Sequence, residues 1–358
     1  MFNNTIISSG KDRKKKKSVI RILRVLLIII GVLVLLLFTD NAVYRFRYSQ
    51  MDTHSGSLSK TDIGRAQTAF DYLAAHGEEI YPGFSKAGID LIIYNDSYEF
   101  LICSSSESPE WTLTADNALP GKRIYRRPAH NPQAFAVYTA DRWVGSMSTL
   151  DTLNSFVFVS MSGETGVLGY FIPPQLFSTD SEYYTGMVIH EMTHAYQAQQ
   201  NEARIRADMS IGDINRKYTG EAVFEELLQK EGNYLQLALD AGQPDEIIKY
   251  ARLFLDTRTE RRTAFGMSAA DIHDEEEYEW LEGMARYAEY MSSSGSSCLM
   301  RKNLGNIAQK AVGQSDDRYY AMGMAQAMLL DKLDSGWKST AFSDTFTFED
   351  TLAAAVDL

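Results

Sequence analysis

Apolar and polar positions alternate differently in successive stretches of the chain. Val19 to Phe38 is apolar apart from Arg21, Arg24 and Gly31. A helix of that length covers a hydrocarbon core of about 30 Å. Residues 39–60 show no sustained apolar period and read as a polar stalk around His54-Ser55-Gly56-Ser57. A short helix is expected from Thr61 to near Ala75, before Gly77. Ile89–Tyr94, Tyr98–Cys103, Ala134–Tyr138 and Phe156–Val159 are rich in β-branched and aromatic residues and predict strands. The strand-rich part is expected to close near Pro173-Pro174. After Ser178 the period becomes helical. The pattern predicts helices over Ser181 to about Ala203, Glu221–Ala241, Asp245–Leu255, Glu275–Ser292 and Arg318–Leu333. Strands first and helices second predict an α+β body, with a strand-rich subdomain over 61–178 and a helical one over 179–358. Ahead of it stand a basic tail (1–18), an anchor (19–38) and the stalk.

Charge sharpens this picture. The 358 residues carry a net charge of −12, but residues 1–38 hold eight basic side chains against Asp12, leaving −19 on residues 39–358. A basic run ahead of an apolar span predicts a cytoplasmic N-terminus and an extracytoplasmic body, as on a bacterial plasma membrane. Phe38-Thr39-Asp40-Asn41-Ala42-Val43 has no A-x-A-like cleavage pattern, so the span is read as a retained anchor. So acidic a body excludes nucleic acid as the expected partner. Two cysteines, Cys103 and Cys298, are too few for a disulfide framework or a four-thiolate zinc site. They either pair outside the cytoplasm or stay as separate thiols.

The candidate chemistry sits in the first long helix, in Met187-Val188-Ile189-His190-Glu191-Met192-Thr193-His194. His190 and His194 are four apart, so a helix stacks them on one face where two imidazoles can grip one Zn²⁺. Glu191, rotated by about 100°, misses the metal and can take a proton from an attacking water. The surrounding apolar residues predict a buried helix, in which unpaired polar groups are costly. The alternative is a pair of hydrogen-bonded core histidines. Metzincins would place Gly and His at Gln197 and Gln200, so that class is excluded. Glu282 falls on the apolar stripe of Tyr278, Leu281, Ala285 and Ala288, where a carboxylate needs a cation, and Gly283 beside it allows close helix approach. Rival third ligands are Glu221, Glu225, Glu226 and Glu231 on the preceding predicted helix.

The pair of motifs, His190-Glu191-Met192-Thr193-His194 and Trp280-Leu281-Glu282-Gly283-Met284-Ala285-Arg286-Tyr287, resembles the gluzincin metallopeptidases, and within them the peptidase-MA-like group. The likeness covers about Tyr183–Leu333. It implies a zincin-like fold and a peptidase using one zinc ion, with His190, His194 and Glu282 as ligands and Glu191 as general base. The strand-rich part would offer an edge to an extended peptide substrate. Two departures stand out. The two motifs are 88 residues apart from His194 to Glu282, and Arg286 occupies the place of the acid that orients a zinc-bound histidine in thermolysin-like enzymes. Glu289 or Asp331 would then supply that acid. Tyr320 is the candidate donor to a tetrahedral oxyanion, with Tyr319 and His273 as weaker ones. A non-catalytic scaffold, or a zinc hydrolase of cell-envelope material, is the competing function.

Overall fold

The computed structural model describes residues 7–105, 110–139, 141–165, 179–207, 211–218, 220–293, 305–311 and 316–357. The structure is mixed α/β, mostly helical, with one sheet. The chain divides into two compact units, Met1–Thr53 with Asp151–Thr179, and His54–Leu150 with Asp180–Leu358.

The first unit contains α1 (Ile7–Ser49) and α3 (Leu150–Thr165). Within α1, Ser18–Tyr48 is long and apolar enough to cross a membrane. The helix continues past Phe38 to Ser49, so much of the expected stalk is helical. In α3 the strand expected at Phe156–Val159 is replaced by helix. Its β-branched and aromatic residues favour strands only weakly without a neighbouring strand. Here Asn154 and Phe158, one helical turn apart, are buried instead.

The second unit holds α2 (Lys60–Ile80) and a six-stranded sheet of β1 (Leu91–Tyr94), β2 (Tyr98–Cys103), β3 (Thr112–Leu119), β4 (Lys122–Pro128), β5 (Phe135–Thr139) and β6 (Arg142–Ser148). The strand order is β3-β4-β2-β1-β6-β5. β1 and β6 run parallel, and every other pairing is antiparallel. Sequence reading missed β3, β4 and β6. The first two are rich in polar and basic residues, and β6 is interrupted by Gly145. That glycine is where the motif helix meets the sheet: a Cβ there would lie 3.0 Å from the Met192 backbone. In α2, Gly77 does not end the helix, because its role is contact. A Cβ there would lie 2.8 Å from the Ser85 backbone nitrogen.

The rest of this unit is helical: α4 (Ser181–Gln200), α5 (Glu202–Ile205), α6 (Ile211–Tyr218), α7 (Ala222–Asp240), α8 (Pro244–Ala264), α9 (Ala269–Ser292), α10 (Ile307–Lys310), α11 (Asp317–Leu333) and α12 (Phe348–Asp357). Asp180 caps α4 by accepting from the Tyr183 amide. α8 runs nine residues beyond the expected Leu255, since Arg258, Arg261 and Arg262 are buried by ion pairing and continue its inner face. α9 starts at a Ser268–Asp271 capping box, ahead of the expected Glu275, with Lys217 and Tyr218 also on the Asp271 carboxylate. α9 and α11 cross glycine on glycine. A Cβ on Gly283 would lie 2.5 Å from the Gly323 Cα, and one on Gly323 would run into the Glu279 carbonyl oxygen. Cys103 is buried in β2, whereas Cys298 and Pro173-Pro174 lie outside the described residues.

Candidate metal centre

Three elements bring the site together: α4 packed on β6, α9 beside α4, and α11 crossing α9 at Gly283. His190, Glu191 and His194 are all buried on α4, and their ligand atoms lie within 4.8 Å of one another. This group could hold a metal ion. Glu282 from α9 completes a nearly equilateral triangle. His190 Nε2 and His194 Nε2 are 3.2 Å apart, and Glu282 Oε2 lies 3.3 Å from each. A tetrahedral ion with bonds of about 2.0 Å sets its ligands about 3.3 Å apart, so the separations fit.

Hydrogen bonds behind the imidazoles determine what faces inward. Gln197 donates through Nε2 to the carbonyls of Trp280 and Leu281, at 3.2 and 3.1 Å. Its Oε1 therefore faces His194 Nδ1, 2.9 Å away, and makes that nitrogen the protonated one. His190 Nδ1 lies 3.1 Å from Glu289 Oε2 and donates to it. Arg286 and Tyr183 hold the Glu289 carboxylate in turn. Both Nε2 lone pairs thus converge on the carboxylate oxygen of Glu282, which is buried and has no hydrogen-bond partner among the described residues. Three convergent acceptors are costly unless a cation joins them. The charges agree. Three carboxylates, Glu191, Glu282 and Glu289, stand beside the two imidazoles, and among the described residues Arg286 is the cation that pairs with Glu289.

Without a cation, proton affinities respond to this crowding. Burial pushes His190 down, but the Glu282 and Glu289 carboxylates that face its two ring nitrogens outweigh that and raise it to about 10. Burial also works against the charged form of Glu282, yet the two histidines hold it well below the usual carboxylate range. Burial raises Glu191, with the histidines opposing and Glu282 and Glu289 adding to the rise.

Tyr320 on α11 stacks over His190 with ring centroids 5.9 Å apart, and its hydroxyl bonds Glu282 and Tyr278. Burial and the Glu282 charge raise its pKa, so it remains a hydrogen-bond donor. Tyr319 faces the other way, towards Glu275 and Arg318, and His273 is exposed. Of the two candidate orienting acids, Glu289 is at the site, while Asp331 pairs with Lys338 and Tyr287. The rival glutamates are elsewhere. Glu231 pairs with Arg258 and Arg261, Glu226 with Lys230, Glu225 faces Arg318, and Glu221 is an exposed N-cap.

Three further residues escaped sequence reading. Gln197 stands three residues after His194, a spacing that could have flagged it. Phe135 of edge strand β5 packs its ring 4.5 Å from that of His194. Tyr94, the last residue of β1, hydrogen-bonds Ser148, and burial together with the Glu191 charge raises it to about 12. Only the β1–β6 pairing, with Tyr94 opposite Ser148, places it there. Comparison with protein-family models, curated proteins and solved structures found no match.

Proposed function

We propose that this chain is a membrane-anchored zinc metallopeptidase of gluzincin type, with its catalytic body outside the cytoplasm. The observation that carries the reading is the triangle of His190 Nε2, His194 Nε2 and Glu282 Oε2, whose separations of 3.2–3.3 Å match those of three ligands around one tetrahedral ion. Those residues would hold the ion. Zinc supplies Lewis acidity towards a carbonyl oxygen and lowers the pKa of water. Glu191, adjacent on α4 and outside the triangle, takes the proton of the attacking water and passes it to the departing amine. Tyr320 donates its hydroxyl hydrogen to the oxyanion that develops on the scissile carbonyl. β5, the sheet edge beside His194, offers unpaired backbone groups to an extended peptide. The charge asymmetry around Val19–Phe38 supports the orientation in the membrane.

The test uses the full chain, with metal content and hydrolysis of a peptide library measured together. Glu191→Gln is expected to keep the metal and lose about 10²–10⁴-fold in turnover. Glu282→Gln is expected to lose the metal, and Glu225→Gln to keep it. Full activity in the Glu191 variant, or zinc loss only in the Glu225 variant, would overturn this reading.

A further inference from the structure

Arg286 stands where a thermolysin-like enzyme carries an orienting acid, and it reaches all three helices of the site. It follows Glu282 by four residues and precedes Glu289 by three, so the helical period sets the three along one face of α9. Gly186 of α4 lets that face come close. A Cβ there would lie 3.3 Å from the Glu289 carbonyl oxygen and 3.4 Å from its Cγ. On α9 the guanidinium donates to Glu289, with Nη1 3.2 Å from Oε1 and 3.1 Å from Oε2. On α4 it bonds Tyr183, which also bonds Glu289. On α11 it lies over the Tyr320 ring, 4.9 Å from the centroid, with Nη2 3.7 Å from Asp317. The Arg286 side chain is largely buried and that of Glu289 almost wholly so, so water competes little for these contacts.

These contacts lead to two parts of the chemistry. Through Glu289, which accepts from His190 Nδ1, the guanidinium bears on a candidate ligand. Through the aromatic face of Tyr320 it bears on the candidate oxyanion donor. A cation is drawn to the face of a ring by the ring quadrupole, more strongly where water is excluded. The ring carries the hydroxyl rigidly, so whatever fixes the ring also fixes the direction of the hydroxyl. Arginine suits this double task. Its planar fork can pair with a carboxylate along its edge and lie on a ring with its face, which the compact ammonium of lysine cannot do at once.

We propose that Arg286 is a positioning residue for the oxyanion donor: held by Glu289, its guanidinium fixes the Tyr320 ring so that the hydroxyl points to where the tetrahedral oxygen develops. The orienting acid has moved three residues on, to Glu289. The arginine in its former place joins the partner of His190 to Tyr320. The inference rests on the peptidase reading and adds to it a residue that touches neither metal nor substrate.

The test is a double-mutant cycle between Arg286 and Tyr320 in the full chain, in detergent micelles with zinc in excess and its stoichiometry measured for every variant. Two quantities are read: kcat and KM for a peptide that the wild-type chain cleaves, and the Kd of a phosphinic peptide. The phosphinic oxygen copies the tetrahedral oxyanion without turnover. Arg286→Met is expected to lower kcat by about 10²-fold, as a misplaced catalytic group does, with KM nearly unchanged. Binding of the phosphinic peptide is expected to weaken by a similar factor. In the Tyr320→Phe background the same substitution is expected to change either quantity by less than about twofold, since coupled residues are not additive. Arg286→Lys keeps a cation beside Glu289 and guards against a misfolded Met variant. It is expected to retain zinc and still lose kcat and phosphinic-peptide binding, again only when Tyr320 is present. Equal losses in both backgrounds, or a loss confined to KM, would overturn the proposal and leave the peptidase reading standing. A wild-type chain that holds zinc but neither cleaves a peptide library nor binds the phosphinic peptide would overturn both.

Discussion

At the residue scale, the two imidazoles are held from behind by groups of different charge. Glu289 fixes His190 as a carboxylate, itself neutralised by Arg286, whereas neutral Gln197 fixes His194. Partners of this kind set the tautomer and orientation of a ligand and commonly contribute 10–100-fold to metal affinity. Gln197→Leu removes the acceptor from His194 Nδ1, and it also leaves the Trp280 and Leu281 carbonyls without that donor. Zinc affinity, measured by competition with a chromophoric chelator, is expected to fall by about 10–100-fold. An unchanged affinity would mean that the His194–Gln197 bond has no part in ligand orientation.

At the element scale, the α9–α11 crossing sets the position of both Glu282 and Tyr320. Gly283 directly follows the candidate ligand, and Gly323 lies three residues after the tyrosine. Gly283→Ala would drive a methyl group to 2.5 Å from the Gly323 Cα, where backbone and not a flexible side chain must yield. Overpacking of this kind costs about 1–3 kcal/mol, against about 1 kcal/mol gained from the helix propensity of alanine. A lower melting temperature and weaker metal retention are therefore expected together. Gly64→Ala in α2 is the contrast. A Cβ there meets nothing within 4 Å, and its substitution is expected to raise the melting temperature. Thermal unfolding of both variants measures the difference.

At the scale of the whole molecule, α9 is also fixed from its far side. Arg258 and Arg261 on α8 join Glu231 of α7 to Glu275 and Glu279 of α9, and Arg262 reaches Glu349 of α12. Gln326 of α11 donates to Glu279 at 2.7 Å. Breaking one partner of such a buried network leaves the others uncompensated, at a cost of about 3–5 kcal/mol. Glu231→Gln is expected to lower stability by that order while leaving zinc stoichiometry unchanged. On the proposed zinc reading, removing the ion with a chelator should destabilise the chain by about 2.7 kcal/mol, compared with zinc at a hundredfold excess over its Kd. Denaturant unfolding with and without chelator measures both. Loss of zinc from the Glu231 variant with unaltered stability would place that glutamate at the metal instead of in the network.

Features governed by neighbours along the chain are legible in the amino-acid order alone. A helix long and apolar enough to cross a membrane needs only a run of apolar residues. The shared face of His190 and His194 follows from the helical period, and the inward direction of Glu282 from the stripe it belongs to. Where local preference is the sole guide it fails at Phe156–Val159, because β-branched and aromatic residues become strand only when another strand is there to pair with them. The tertiary structure decided what depends on distant partners. It set Glu282 against two histidines 88 and 92 residues earlier, and selected Glu289 over Asp331. It committed Glu231 to arginines and brought Tyr94 and Phe135 beside the motif. Helical period determines which way a side chain points, but what it meets depends on the packing of whole elements, and here glycine contacts at Gly145, Gly283 and Gly323 set that packing.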